Sequence, residues 1–474
     1  MVALVERETM STPTPPEQKQ KSNNALLLLI TRLHFYIGLF VGPFIFIAAL
    51  TGTLYVLTPQ LANIIYQDVL TTESQGPEQP LAAQIQAAQA SLPHELKLFA
   101  VRPAPSPGET TRIMFLDPAS KLSGASAVFV DPVTLQITGH LPVYGTSGIL
   151  PLRMNLDFLH RQLLQGEWGR YYSELAASWM WIAALGGLYL WWRGGKKNKA
   201  EFAARTPHLR HRRRHVQIGL VIFLGLVFFS ATGLTWSKWA GGNIAQLRAQ
   251  IGWVTPSVSL NLETQAPKAT AHDPHAAHHD AGNIQSSTET HPLWTPQQFD
   301  QVLATARAAG IDAGKLEIKP PKSADKAWFV REIDRSWPTQ VDSVAIDPNQ
   351  MKVISRADFA EFPLIAKLIR WGIDAHMGIL FGWPNQLMLA AFGITLCVMI
   401  ILGYRMWWLR RPAAGPTAKP LLQAWAKLSN THKSISVMLA LFLGWSLPVL
   451  GVSLIIFLMI DALRWRAASD TAQN

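Results

Sequence analysis

The fold is decided by one stretch, Leu33-His34-Phe35-Tyr36-Ile37-Gly38-Leu39-Phe40-Val41-Gly42-Pro43-Phe44-Ile45-Phe46-Ile47-Ala48-Ala49-Leu50-Thr51-Gly52-Thr53-Leu54-Tyr55-Val56-Leu57, which contains no Asp, Glu, Lys or Arg. About 20 apolar residues cross the hydrocarbon of a bilayer, so 33–57 reads as a transmembrane helix. Its apolar run is longer than the core of a cleaved signal peptide, and the helix is expected to be retained. Four further runs have the same character, at 172–193, 215–238, 385–409 and 434–461. The expected order is a cytoplasmic tail (1–32), the first span, a long outer segment (58–171), the second span, a basic loop (194–214) and the third span. A His-rich linker (239–292), a second outer domain (293–384), the fourth span, a loop (410–433), the fifth span and a tail (462–474) complete it.

Composition agrees with a polytopic α-helical membrane protein. Of 474 residues 49% are hydrophobic and only 15% charged, against ~25% charged in soluble chains, and the mean hydropathy is +0.13. The net charge of +11 would suggest nucleic acid in a soluble protein. Here it is localised. Residues 193–214 hold nine Lys or Arg against Glu201 alone, and 405–433 hold six with no acid. Residues 58–171 hold seven bases and nine acids, and 239–384 hold thirteen and fifteen. The positive-inside rule then puts the amino terminus and short loops in the cytoplasm and both long segments outside. The partner of the basic loops is the lipid bilayer, not nucleic acid. Trp191, Trp192, Trp407 and Trp408 close the second and fourth spans as an interfacial belt.

The chain also repeats itself. His34 precedes Thr51 by 17 residues, as His215 precedes Thr232, and each histidine is followed by Ile-Gly-Leu at the same spacing (Ile37-Gly38-Leu39, Ile218-Gly219-Leu220). Asp131-Pro132 lies 29 residues before His160, and Asp347-Pro348 lies 29 before His376. Gly166 and Gly382, then Gly187 and Gly403, follow at matching intervals. Two parallel copies plus a fifth helix are expected, related by an axis along the membrane normal. The outer segments read as small α+β domains: a helix at 81–91 and strands near 96–102, 111–116, 126–131 and 135–138 in the first, a helix at 296–309 and strands near 315–319, 328–333, 340–347 and 352–355 in the second. Asp-Pro opens the last turn of each.

The chemistry rests on histidine. The single cysteine, Cys397, excludes a disulfide framework, a four-cysteine metal site and a c-type haem attachment. His34 and His215 begin their spans at equivalent cytoplasmic positions, where two neutral imidazoles facing across an axis would make a six-coordinate b-type haem site. Gly38 and Gly219, one turn on, would leave room for a flat macrocycle, and Arg32 and Arg213 would meet its propionates. His160 and His376 repeat the arrangement outside, each on a short helix turning at Gly166 or Gly382. Seventeen residues at ~1.5 Å rise nearly match the hydrocarbon thickness, so two haems would stand near opposite faces. A histidine at an interface is also an ordinary polar anchor, and duplication alone preserves spacing; His432 inside or His140 outside are alternative partners. The tract His272, His275, His278 and His279 is readable as a metal trap or as a solvated linker.

No G-x-G-x-x-G or P-loop occurs, and the cytoplasmic loops are too short for a nucleotide domain, so electrons would come from a separate reductase or membrane quinol. The residues Leu33 to Leu39, Leu50-Thr51-Gly52, Leu159-His160-Arg161, Gly187-Leu188-Tyr189-Leu190-Trp191-Trp192, His215 with Gly219 and Met406-Trp407-Trp408 resemble the PepSY-associated transmembrane helix family, which includes inner-membrane ferric-siderophore reductases. The resemblance implies PepSY-like outer domains in the periplasm, a bacterial inner-membrane location, and haem ligation by His34, His215, His160 and His376. It also implies an oxidoreductase that reduces a ferric siderophore or chelate and releases Fe(II). Rival expectations are a non-enzymatic PepSY-type protein restraining a periplasmic partner and a siderophore or metal transporter. Glu174 and Asp461 are expected near the outer ends of their spans, which disfavours a mid-membrane transport site.

Overall fold

A computed structural model describes residues 15–93, 95–120, 124–144, 149–203, 206–262, 293–410 and 421–473. The His272 to His279 tract lies outside the described residues. The chain divides into two units, one comprising 1–47, 171–243 and 395–474, the other 48–170 and 244–394.

Among the described residues three helices are long and apolar enough to cross a membrane: Ala25–Val56, Gly166–Gly195 and Trp383–Arg410. They cover the first, second and fourth expected spans. The third is a pair, Pro207–Val221 and Phe223–Thr235, bent by 61° at Ile222, where neither proline nor glycine accounts for the break. The first helix winds more loosely through a π-helical segment, Ile37–Val41, in which the Gly42 N–H donates to the Ile37 carbonyl. That segment begins three residues after His34, and such bulges recur at functional sites.

The expected fifth span is two helices, Asn430–Ser446 and Pro448–Gln473. Pro448 lacks an N–H and pushes Leu447 out of the helical region, to φ −125° and ψ 81°. The chain folds back there, so closely that a Cβ on Gly451 would lie 2.8 Å from the Cα of Gly444. Asn243 Nδ2 donates to the Trp445 and Ser446 carbonyls at the end of the first arm. On the second arm, Asp461 accepts from the Tyr36 hydroxyl and the Leu422 N–H. Asp461 therefore sits beside the residue two positions after His34, at the opposite end from that expected. Glu174 accepts from the Trp239 and Ala240 N–H groups and caps the helix Trp239–Gln250.

In the second unit the two long segments between the spans join into one antiparallel sheet. Its strands are β1 (Lys97–Arg102), β2 (Thr111–Leu116), β3 (Ala125–Val130), β4 (Ile137–Pro142), β5 (Leu316–Lys319), β6 (Trp328–Glu332), β7 (Ser343–Ile346) and β8 (Val353–Ala357). The order is β4-β3-β2-β1-β5-β6-β7-β8, and the halves meet where Val101 of β1 pairs with Ile318 of β5. Each half carries a bulge and a left-handed residue at matching positions, Phe129/Val130 with Leu135 and Ala345/Ile346 with Met351. Asp131 and Asp347 close these turns by accepting from N–H groups two and three residues on.

Pairing of the halves satisfies the inner edges that two separate domains would leave open. Helices Leu81–Ala90 and Pro296–Ala308 lie on one face over a shared core of Ile85, Val101, Ile113, Phe299, Ile318 and Trp328. Asp300 on the second helix caps the first by accepting from the Leu81 and Ala82 N–H groups at 2.7 and 3.0 Å. The other face is covered at its flanks, by Tyr66, Val69 and Leu70 on one side and by Val258 and Leu262 on the other.

Candidate functional site

His34 and His215 come together in the first unit. Their ring centres are 6.3 Å apart, with the planes at 83°. His34 Nδ1 lies 3.0 Å from the Ala183 carbonyl, and His215 Nδ1 lies 3.0 Å from the Met399 carbonyl. A carbonyl only accepts, so each Nδ1 carries the proton and each Nε2 keeps its lone pair, the tautomer a metal ligand needs. Two metal–imidazole bonds of ~2.0 Å, with ~1.1 Å from each nitrogen to its ring centre, put opposed rings about 6 Å apart. The observed separation matches that requirement.

A glycine faces each ring, tightly at His34 and at ordinary contact distance at His215. A Cβ on Gly187 would stand 3.2 Å from His34 Cε1, and one on Gly403 would stand 3.7 Å from His215 Cε1. Met399 follows Ala183, and Gly403 follows Gly187, by the same 216 residues that separate His376 from His160. The repeat thus supplies the backbone acceptor and the clearance together. Gly38 faces open space, with nothing within 4 Å of its Cβ position, whereas Gly219 is in contact with Met399 Sδ at 3.5 Å. Arg32 has a buried Nε without a hydrogen-bond partner, an orphaned donor suited to a carboxylate. Arg213 is exposed, so the expected symmetry of the two arginines does not hold.

His160 and His376 belong to the second unit. They lie at the ends of the short helices Pro151–Gln162 and Leu364–His376, as the sequence predicts. Left-handed backbone at Leu163, Leu164 and Gly166 on one side, and at Gly378 and Gly382 on the other, turns the chain into the following long helix. His160 Nδ1 is 3.0 Å from Thr51 Oγ1, and a Cβ on Gly52 would be 3.2 Å from His160 Cε1. The Thr-Gly pair is thus a seat for this imidazole. Burial pushes His160 down to about 4, with the neighbouring Arg161 adding to it. Burial and the nearby His160 push His376 down to about 3. Both are neutral at pH 7, as ligation requires.

Cations surround these helices. Arg153 Nε donates to the Tyr55 hydroxyl at 3.0 Å, and its Nη2 is buried without a hydrogen-bond partner. Arg161 pairs with Asp157 at 3.0 Å, and Asp374 takes both Arg335 and Arg370. The orphaned Arg153 and Arg32 donors and the glycine clearances fit a flat, carboxylate-bearing macrocycle held between paired imidazoles. The residues that would hold it are His34 with His215 and His160 with His376. His140 is an exposed residue of β4 opposite Val128, and His432 lies 2.8 Å from its own N-cap, Ser429 Oγ. Among the described residues no group of three or more His, Cys, Asp or Glu is placed to hold a bare metal ion. A bis-imidazole haem does not need one, because the porphyrin supplies the remaining ligands.

The amino-acid sequence marks the four histidines and the Thr-Gly and helix glycines by their spacing, and only helix packing shows Gly187 and Gly52 set tightly against the rings of His34 and His160. The signal for that packing is present in the intervals of the repeat. A model of the PepSY-associated TM region matches residues 31–410, and the chain belongs to that family. Among curated proteins none matches.

Proposed function

We propose that this PepSY-associated TM protein is a two-haem electron carrier of the bacterial inner membrane, reducing a ferric siderophore or other ferric chelate on the periplasmic side so that Fe(II) is released for uptake. The observation that carries the reading is the matched pair of Nδ1 bonds from His34 to Ala183 and from His215 to Met399. Held by His34 with His215 and by His160 with His376, a b-type haem would supply a reversible one-electron carrier.

The chain's own part is positional. Main-chain acceptors fix the tautomer of His34 and His215, and Thr51 orients His160. Gly187, Gly403 and Gly52 keep their helices close to the rings. Burial favours the neutral form of His160 and His376. Arg32 and Arg153 offer buried donors to carboxylates, and no acid-base group is needed for a one-electron step. The basic loops set the orientation, and a cytoplasmic reductase or membrane quinol supplies the electrons. Loss of oxygen-ligand affinity on going from Fe(III) to Fe(II) makes release follow reduction.

The test is the visible spectrum of purified protein before and after dithionite, with haem and iron quantified. Two low-spin haems per chain are expected; a colourless protein that retains its cellular activity would favour a partner-binding role instead.

A further inference from the structure

The helix Leu364–His376 is apolar on two opposite sides. On one side Ala366 and Ile373 are buried, and Asp374 beside them takes the inward-turned Arg335 and Arg370. On the other, Leu364, Leu368 and Trp371 follow one another at intervals of four and three residues. Leu364 and Leu368 are 67% and 51% exposed. Trp371 carries this strip on to the loop between β6 and β7: its ring centre is 5.6 Å from that of Trp337, and its Nε1 donates to Thr339 Oγ1 at 3.2 Å.

That loop is tied to the start of the fourth span. The Trp337 N–H donates to the Leu380 carbonyl at 2.7 Å, three residues before the helix Trp383–Arg410 begins. Trp337 is 56% exposed, and its ring centre lies 6.2 Å from that of Phe381, itself 55% exposed. Trp383, Leu387 and Met388 follow in the first turns of the span, all exposed. The apolar strip thus passes from Leu364 through Trp337 to side chains of a membrane-crossing helix.

Contiguous apolar side chains this open mark an interaction surface. Their chemistry suits a bilayer surface: tryptophans at headgroup level, leucines along one side of a short amphipathic helix, and a lysine beside them. Lys367 donates to the Ala360 carbonyl at 2.7 Å and stands over the Phe359 ring at 5.9 Å, so its stem follows apolar surface. Continuity with the span favours lipid over a protein partner. A helix that enters the hydrocarbon near Trp383 puts Phe381, and the loop bonded to Leu380, among the headgroups.

We infer that the outward side of the helix Leu364–His376 and the Trp337 loop together form a lipid-binding surface, seated in the headgroups and upper acyl chains of the leaflet through which the fourth span enters. The sheet is then held to the membrane by its β6–β7 loop as well as by chain connections. This surface is independent of the electron-transfer reading.

Nitroxide labels on the full chain test it, in a Cys397→Ser background and in nanodiscs of phosphatidylethanolamine and phosphatidylglycerol. Leu368→Cys and Trp337→Cys carry the label in turn, and Gln301→Cys, exposed on the helix Pro296–Ala308, is the aqueous reference. Oxygen concentrates in lipid and a neutral nickel chelate in water. At 368 and at 337 oxygen should relax the label severalfold more than the chelate does, with the order reversed at 301. Chelate prevailing at 368 or 337 means a face open to water and overturns the proposal, as does the same order at all three positions. Shielding from both reagents at 368 and 337 means a protein neighbour, such as a second copy, and also overturns it. Melting curves identify a labelled variant that fails to fold, and the other label then carries the test.

Discussion

The imidazoles of His34 and His215 stand 6.3 Å apart, centre to centre, each with Nδ1 turned to a main-chain carbonyl 3.0 Å away. Both carbonyls belong to the second long helix of their own repeat, and a glycine one turn on makes room for the ring. The arrangement holds both Nε2 lone pairs ready, which is what an axial ligand pair requires.

Clearance at the inner pair is open to direct test. Gly187→Leu would drive a side chain into His34, whose Cε1 is 3.2 Å from the Cβ position. Displacement of a ligand ring by even ~1 Å disrupts a metal site. Inner haem should fall to a small fraction of native while the outer haem is retained, as read by reduced-minus-oxidised spectra. Equal loss of both haems would indicate general misfolding.

Arg153 should tune the proposed haem between His160 and His376. Its buried Nη2 has no hydrogen-bond partner, and the side chain is fixed by Tyr55. Arg153→Leu removes a positive charge that favours the reduced form, so the outer midpoint potential should drop by tens of mV, on the order expected for one partly screened charge. Redox titration should show the inner potential unmoved.

Glu317 anchors the sheet where its halves meet. Burial raises the pKa of its carboxyl, but Arg331, Lys319 and Arg102 together outweigh that and hold it well below the usual carboxylate range. With the folded pKa below the unfolded one, its contribution is present above about pH 4.3 and is lost as pH falls through the folded value. Glu317→Gln leaves several cations facing one another and should cost roughly 3–5 kcal/mol, seen as a lowered melting temperature near pH 7. The native protein and the variant should converge in strong acid.

The last two helices should return the chain to the side on which it began. Folding back at Leu447 and Pro448 brings Asp461 to Tyr36, near the start of the first span. A carboxyl-terminal fluorescent reporter should therefore be active on the cytoplasmic side. A single fifth span would place it outside.

Much of the fold is legible in the amino-acid sequence. The strand ends fall within four residues of expectation because alternating burial and Asp-Pro turns mark them locally, as at Thr111 to Leu116 and Asp131. The histidine pairs are legible because the repeat preserves their spacing. Joining of the two outer domains through Val101 and Ile318 is not, since edge pairing leaves no mark in either strand. The hairpin at Pro448 is equally hard to read. Its apolar run is continuous in hydropathy, and only the Leu-Pro step and the glycines at 444 and 451 signal the reversal. The ion pair of Arg102 with Glu317 stays hidden because its partners lie 215 residues apart and meet only through strand register.

The central claim is tested most directly by the haem-to-protein ratio of the native chain and of His160→Ala, each measured with its dithionite-reduced spectrum. Two haems are expected in the native chain and one in the variant, with the inner spectrum intact. A native chain without haem, or a variant that keeps or loses both, would contradict it.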